Sequence, residues 1–282
     1  MLHTHLKVMA ISNIALVAFF TTIFFMLLST VNSSDSLSFT FIDFDQNEED
    51  LIFQGDAHVT SNRVLQLTKT NSDGVAQQNS TGRVLYQDKI QLWENSTDRL
   101  STFETIITFN LTSPTPNDPA DGFTFFIAPP ETTIPHGSEG GLLGLFDLDP
   151  SKNQVVAVEL DTFYRNPWDP TYDHIGIDVN TVNSSATVKW DRKEGEIGTV
   201  CINYNAGTKN LSVVSSYPGS QTYSVSYVVD LRTVLPEWVR VGLSASTGLQ
   251  TQSHIIKSWF FYSTLDYVTA KKDEDIYIQH VV

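Results

Sequence analysis

FETIITFN, at residues 103–110, alternates apolar and polar side chains with a period close to two. This alternation is typical of a β-strand with one face in a core and the other toward solvent. Gly, Pro, Asn, Asp and Ser clusters separate it from further stretches in which we expect the same alternation and which we interpret as strands, at 38–44, 123–128, 155–160, 198–204, 211–215, 222–229 and 258–262. Many short strands divided by turn residues predict an all-β sandwich or jelly roll.

Length and composition agree with one large β domain. The chain has 282 residues, of which 41% are hydrophobic and 17% charged, which supports a packed core and excludes a disordered chain. A net charge of −15 gives no electrostatic attraction to nucleic acid or to anionic membranes. The single cysteine, Cys201, excludes an intrachain disulfide and a cysteine-based zinc site.

Residues 1–33 have the order of a secretory signal peptide. Lys7 precedes an apolar run at 8–28, and Val31 and Ser33 stand at the positions that precede a cleavage site. An uncleaved membrane anchor is the alternative, because the apolar run is long. No second long apolar run follows, so we expect no membrane span after cleavage and a route through the secretory pathway to an extracellular or vacuolar location.

The remaining chain divides into a domain at 34–270 and a tail at 271–282. The tail, KKDEDIYIQHVV, changes abruptly from charged to apolar, and we expect it to be flexible or processed. On a secretory route, Asn-x-Ser/Thr sequons are candidate surface glycosylation sites. The sequons of the domain are at Asn79, Asn95, Asn110, Asn183 and Asn210.

Most of the candidate metal-binding side chains lie in one stretch, VELDTFYRNPWDPTYDHIGIDVN at 158–180. Glu159 and Asp161 lie two apart on a predicted strand, so both side chains point to one face. Carboxylates held that close repel each other unless a cation lies between them. Asp169 and His174 could return to the same place, and oxygen donors suit Ca²⁺ whereas carboxylates with one His suit Mn²⁺. The alternative is a solvated acidic loop on an acidic protein.

The mature chain resembles the legume lectins along its whole length. The matching motifs are SFTFIDF at 38–44, ADGF at 120–123, GLLG at 141–144, the stretch at 158–180, LPEWVRVGLSASTG at 235–248 and Ser258-Trp259. The resemblance implies a jelly-roll sandwich of flat and curved antiparallel sheets without disulfides. It also implies one sugar site per subunit beside paired Ca²⁺ and Mn²⁺ ions.

The same resemblance implies roles for individual residues. Those matching Mn²⁺ ligands are Glu159, Asp161, Asp169 and His174, with Ser184 holding a metal-bound water. Those matching Ca²⁺ ligands are Asp161, Asp169, the carbonyl of Phe163 and an asparagine, which we expect to be Asn166. Those matching sugar contacts are the Asp121 carboxylate, the Gly141 N–H, the Phe163 ring, Asn166, and Leu249 and Gln250 in the loop that closes the pocket. A cis peptide bond before Asp121 is also implied.

One position departs from the family pattern. The calcium asparagine is expected four residues after Asp161, where this chain has Arg165, and Asn166 comes one residue later. A one-residue bulge would let Asn166 serve. Without it, Arg165 would put a cation where calcium and sugar belong, and the chain would be a lectin-like defence, storage or scaffolding protein that has lost sugar binding.

An enzyme is the remaining rival. Glycoside hydrolases of the same sandwich class carry Glu-x-Asp-x-x-Glu, but the last position here is Tyr164, so the second catalytic carboxylate is missing. We therefore expect a non-catalytic lectin whose partners are glycans or glycoproteins. Only five residues separate Gly248 from His254, and in the family a loop this short goes with mannose/glucose or complex N-glycan ligands. A homodimer or homotetramer is the expected assembly.

Overall fold

Seventeen β-strands and three short 3₁₀ helices make up residues 35–267, the part of the chain that the computed structural model describes. The predicted signal peptide, 1–33, and the predicted tail, 271–282, lie outside the described residues. The strands are β1 Asp35–Phe41, β2 Leu51–Gly55, β3 His58–Val59, β4 Leu65–Gln66, β5 Thr81–Tyr86, β6 Ile90–Gln91, β7 Trp93–Glu94, β8 Arg99–Thr112, β9 Gly122–Ala128, β10 Val156–Asp161, β11 His174–Val179, β12 Ala186–Lys189, β13 Ile197–Asn205, β14 Asn210–Ser216, β15 Thr222–Val228, β16 Trp238–Ser246 and β17 Ser253–Tyr267. The 3₁₀ helices are Gly140–Leu142, Pro150–Lys152 and Leu231–Thr233.

The strands form two antiparallel sheets, which confirms the predicted all-β sandwich. The nine-stranded sheet has the order β15-β14-β13-β8-β17-β4-β3, with β1 also paired to β17 and β7 to β8. The eight-stranded sheet has the order β12-β11-β10-β9-β16-β5-β2, with β6 also paired to β16. Residues 35–267 contain no helix of the length and hydropathy that crossing a membrane requires.

Alternating burial marks the nine-stranded sheet. Along β8 and β13, buried side chains alternate with partly exposed ones over most of each strand. The buried set faces the inter-sheet core, where Trp259 packs edge-on against Phe39 at a centroid distance of 4.8 Å. This is the pattern expected of an antiparallel sheet with one face toward solvent.

The central strands of the eight-stranded sheet are buried at every position instead. Every residue of β9 and of β10 is buried, so our expectation that 123–128 and 155–160 alternate apolar and polar was wrong although both are strands. The reason is a second apolar cluster on the outer face of this sheet, in which Phe126 and Ala157 pack with Leu145 and Phe146 of the following loop. Covering both faces removes the alternation from the sequence.

The register of three neighbouring strands determines where the functional residues meet. Asp161, the last residue of β10, pairs with Gly122 at the start of β9 and with His174 at the start of β11. Asp121 immediately precedes β9. Three polar side chains from separate parts of the sequence therefore lie at one end of the sheet.

Close backbone packing in the eight-stranded sheet can be tested at Gly82 on β5. A Cβ atom there would lie 1.9 Å from the carbonyl oxygen of Leu67 and 2.7 Å from the backbone nitrogen of Ala57. We expect Gly82→Ala to lower the free energy of unfolding by about 2 kcal/mol or more in urea denaturation. Gly207→Ala is the control, because its nearest neighbour would be 3.4 Å away. Equal losses in both variants would contradict this packing.

Candidate functional site

An acidic cluster of Glu159, Asp161 and His174 lies at this end of the eight-stranded sheet. One potential ligand atom from each residue lies within 4.8 Å of the other two, and all three side chains are buried. His174 Nε2 is 2.9 Å from Glu159 Oε1. These are three of the four side chains expected to bind Mn²⁺, and the structure brings them together.

The cluster has the electrostatics of a cation site. Burial raises the pKa of Asp161 well above its usual range, and the charges of Glu159 and Asp169 raise it further. Burial lowers the pKa of His174, but the hydrogen bond and charge of Glu159 outweigh this, and the net shift is upward. Glu159 Oε2 and Asp161 Oδ2 are buried without hydrogen-bond partners among the described residues. Such oxygens are costly unless a cation is bound, so the donor set fits a divalent metal.

Gly176 makes room for this cluster. It lies opposite Glu159 in the β10–β11 ladder, and a Cβ atom there would lie 2.5 Å from Glu159 Oε1 and 2.2 Å from Ser184 Oγ. Ser184 therefore reaches Glu159 through the space that the missing side chain leaves. Its hydroxyl donates to Glu159 Oε1 and lies 2.7 Å from Asp178 Oδ1. This places Ser184 beside the expected manganese ligands.

Asp178 is a further buried acid that the sequence analysis missed. It is fully buried, its Oδ2 has no hydrogen-bond partner among the described residues, and burial raises its pKa well above the usual range. On β11, His174, Gly176 and Asp178 occupy alternate positions and share a face. The period of two in HIGIDV was therefore a signal that could have found it.

Asn166, and not Arg165, lies among the residues expected to bind calcium. Its Nδ2 is 2.8 Å from Asp169 Oδ2 and 3.3 Å from the carbonyl oxygen of Phe163. Both partners are expected calcium ligands. A flip of the Asn166 amide would present its oxygen to a cation at this position, because the two ends of the group have nearly the same shape.

Arg165 turns toward a neighbouring loop. Its guanidinium forms an ion pair with Asp118 and lies 5.5 Å from the centre of the Phe163 ring. The side chain is 48% exposed. Arg165 therefore does not pair with Asp169, whose carboxylate contacts Asn166 instead.

Asp169 is expected to bind both Mn²⁺ and Ca²⁺. Burial raises its pKa to about 6, the Asn166 hydrogen bond opposes that shift, and the charge of Glu159 adds to it. It is outside the acidic cluster as defined above. It nevertheless contacts Asn166 directly and is close enough to Glu159 and His174 for their charges to affect its pKa.

Asp121 is held by the ends of two strands. Its backbone N–H donates to Ser246 O at 3.1 Å, and its carbonyl accepts from Thr162 N at 2.9 Å. The preceding Ala120–Asp121 peptide bond is cis, as the resemblance implied. Burial raises the pKa of the carboxyl to about 7, although the Gly248 N–H donates to it, and Oδ2 has no partner among the described residues.

Two glycine-containing loops surround this carboxylate. A Cβ atom at Gly248 would lie 3.4 Å from Asp121 Oδ2, and one at Gly140 would lie 3.9 Å away. A Cβ atom at Gly141 would lie 2.3 Å from Asn166 Nδ2, so only glycine allows this approach. The loop containing Gly140 is anchored by Ser246 Oγ, which donates to Gly140 O.

The remaining expected sugar contacts lie at the rim. Phe163 is half-buried, Leu249 is 75% exposed, and Gln250 is half-buried. The Leu249 carbonyl accepts from Gln78 Nε2 at 2.6 Å. The closing loop is therefore attached to the segment that precedes β5.

The sequons occupy different settings. The side chains of Asn79, Asn95 and Asn183 are exposed, and those of Asn110 and Asn210 are half-buried. Asn110 Nδ2 donates to Gly195 O at 2.7 Å. Glycosylation at these positions stays a prediction.

Comparison with known proteins identifies the family. Residues 36–276 match the family model described as the legume lectin domain. The chain is 59% identical to agglutinin-2 of Cladrastis kentukea, over 93% of each chain. It is 56% identical to the mannose/glucose-specific lectin of Centrolobium tomentosum, over 85% of this chain and all of that one. The structure of winged bean acidic lectin complexed with methyl-α-D-galactose is similar at a TM-score of 0.77, with 43% identity over 82% of this chain and all of that one.

The chain belongs to the legume lectin family. Its members bind carbohydrates and are not enzymes, which confirms the expectation drawn from Tyr164. The family match begins at residue 36, shortly after residue 33, where the predicted signal peptide ends, and stops at 276, inside the predicted tail.

The electrostatics of the acidic cluster predict that Asp161→Asn is more stable than the wild type without metal and less stable than the wild type with metal. The raised pKa of Asp161 means that the folded metal-free chain keeps a proton that the unfolded chain releases above pH 3.8. In chelator, the wild type should therefore become progressively less stable than Asp161→Asn as the pH rises above about 4. With Ca²⁺ and Mn²⁺ at pH 7 the order should reverse, because the aspartate binds metal.

Thermal unfolding of both proteins in chelator and in metal, from pH 4 to pH 8, measures this difference. The difference in stability between the two proteins excludes the contribution that carboxylates elsewhere make to the pH dependence, because both proteins contain them. An order of stability that is the same in chelator and in metal at pH 7 would contradict a cation site at Asp161.

Proposed function

We propose that this chain is a metal-dependent lectin that binds mannose/glucose-type or complex N-glycans, with Ca²⁺ and Mn²⁺ as its cofactors. The observation that carries the proposal is Asp121 Oδ2, a buried acceptor without a partner among the described residues. The two loops beside it have glycines, Gly140 and Gly248, at the positions nearest to this oxygen, so no side chain crowds it there. A sugar hydroxyl can donate to such an oxygen. Buried acceptors that stay unpaired are costly, so a ligand that pairs this one gains free energy.

The donors around the cluster support two cation positions. Glu159, Asp161, Asp169 and His174 would hold Mn²⁺, with Ser184 beside them. Asp161, Asp169, the Phe163 carbonyl and Asn166 would hold Ca²⁺. Bound cations would neutralise these carboxylates and fix the loop at 162–169.

The chain's own groups would then recognise the sugar in complementary ways. Asp121 would accept hydrogen bonds from two hydroxyls, and the Gly141 N–H would donate to the sugar. The Phe163 ring would pack on the apolar face of the sugar ring, while Leu249 and Gln250 close the pocket. Thr162 connects the two sites, because its N–H donates to Asp121 O and it directly follows Asp161.

The closing loop and the relatives both favour mannose or glucose. Residues 249–253 are the short segment between Gly248 and His254. Two relatives more than 50% identical are named as mannose/glucose-specific and mannose-specific lectins. The winged bean lectin in complex with a galactoside is less similar, at 43% identity.

A shallow monosaccharide site should bind weakly, with a Kd between about 0.1 and a few mM. Useful affinity would then come from several sites in one assembly. A homodimer or homotetramer would supply them. Val214 and Tyr262, each 43% exposed on the outer face of the nine-stranded sheet, are suitable contacts for a second copy.

The predicted leader and sequons favour a route through the secretory pathway. On this proposal, residues 1–33 are removed, and the mature chain reaches the vacuole or the extracellular space as a glycoprotein. Glycans at some of Asn79, Asn95, Asn110, Asn183 and Asn210 would mark that route.

Calorimetric titration with a mannose-type oligosaccharide tests the sugar site. We expect heat of binding in Ca²⁺ and Mn²⁺, and none after chelation. Asp121→Asn should weaken binding by about tenfold or more, because an amide loses one acceptor and the charge that strengthens the hydrogen bonds. Asp73→Asn is the control, since Asp73 lies in an exposed turn. Equal binding with and without metal would contradict the proposal.

The alternative is a lectin fold in which Arg165 prevents sugar binding. Substitutions at Arg165 and at the adjacent Asn166 distinguish it from the proposed function. Because Arg165 is half-exposed and paired with Asp118, Arg165→Ala should change sugar affinity less than about fivefold. Asn166→Ala should weaken both calcium and sugar binding by about tenfold or more, because it removes a ligand. A wild type that binds no sugar, with binding restored in Arg165→Ala, would establish the alternative.

A further inference from the structure

The sequon at Asn79 lies against the loop that closes the sugar site. The Asn79 N–H donates to Gly248 O at 3.2 Å, and the N–H of Ser80 donates to Thr247 Oγ1 at 3.0 Å. In return, Thr247 N donates to Ser80 O at 2.8 Å. These hydrogen bonds hold the sequon and the closing loop together.

Asn79 and the Asp121 carboxylate are both hydrogen-bonded to the backbone of Gly248. The same glycine whose carbonyl accepts from Asn79 donates its N–H to the Asp121 carboxyl. Its Cα carries no side chain, and a Cβ atom there would lie 3.4 Å from Asp121 Oδ2. Asn79 therefore lies next to the segment that borders the proposed sugar site.

The Asn79 side chain is accessible for modification. It is exposed, it lies in a loop with φ of 52°, and its amide makes no hydrogen bond among the described residues. The sequon hydroxyl belongs to Thr81, the first residue of β5. Asn95 offers a contrast, because its turn contacts Glu237, through the Asn95 N–H, and not the closing loop.

We propose that Asn79 carries an N-linked glycan that limits the size of the ligands reaching the sugar site. This inference rests on the proposed function, since it assigns a regulation to the same site. The glycan would leave the site open to a monosaccharide, which needs only the space beside Asp121. It would obstruct a branched glycan on a large carrier, which must approach across the rim.

The modification itself is a glycosyl transfer from a lipid diphosphate-linked oligosaccharide, the donor of the secretory pathway. The bond between the sugar C1 and the diphosphate oxygen breaks, and a bond from C1 to Asn79 Nδ2 forms. The amide nitrogen loses one proton, and the lipid diphosphate leaves with the bonding electrons. No oxidation or reduction takes place.

Thr81 allows a matched test without a change at Asn79. Thr81→Val removes the sequon and keeps the branched shape, whereas Thr81→Ser retains the sequon at the same position. Both variants and the wild type would be produced in a plant secretory host. Mass spectrometry of glycopeptides would measure occupancy at Asn79, and binding would be measured to methyl α-mannoside and to a high-mannose glycoprotein.

We expect Asn79 to be occupied in the wild type and in Thr81→Ser. Thr81→Val should bind the glycoprotein tighter by about threefold or more, through faster association, with unchanged affinity for methyl α-mannoside. Asn95→Gln, which removes a sequon away from the closing loop, should leave both affinities unchanged. The monosaccharide affinity also shows that each variant is folded.

An unoccupied Asn79, or glycoprotein affinity that is the same in Thr81→Val and Thr81→Ser, would overturn the inference. Enzymatic removal of glycans from the folded wild type repeats the comparison without any substitution, and should reproduce the Thr81→Val result. Failure of the proposed function is distinct, because then no form would bind methyl α-mannoside, with or without a glycan.

Discussion

Repulsion between Glu159 and Asp161 is the constraint on which this site depends. The two carboxylates lie on one face of a strand that is buried along its whole length, and each has an oxygen without a hydrogen-bond partner among the described residues. Water cannot screen charges at such a position, so either protons or cations must neutralise them. A cation here would fix the loop at 162–169, which contains Asn166 and Asp169. Asp121 contacts this loop, because its carbonyl accepts from Thr162 N.

The fold creates this constraint by covering the eight-stranded sheet on both faces. The inter-sheet core packs against one face, and the loop containing Leu145 and Phe146 packs against the other. At the start of β9, the end of β10 and the start of β11, the apolar packing on both faces ends and polar loops begin. Burial on both sides thus provides low polarity, and the open end provides access for ligands.

Much of this arrangement could be predicted from the sequence. Alternation identified the strands of the nine-stranded sheet, and the spacing of Glu159 and Asp161 predicted a shared face. The register that pairs Asp161 with both Gly122 and His174 could not be predicted, because it depends on contacts between distant segments. The direction of Arg165 was also open, since it is set by Asp118 on another loop. Asp178 was overlooked although its position on β11 followed from the same period.

Anomalous X-ray diffraction at the manganese absorption edge, on crystals of the chain grown with Ca²⁺ and Mn²⁺, tests the central claim most directly. The account predicts a manganese peak among Glu159, Asp161, Asp169 and His174. It also predicts a calcium-sized peak coordinated by the Asn166 side-chain oxygen. A structure without either peak would contradict it.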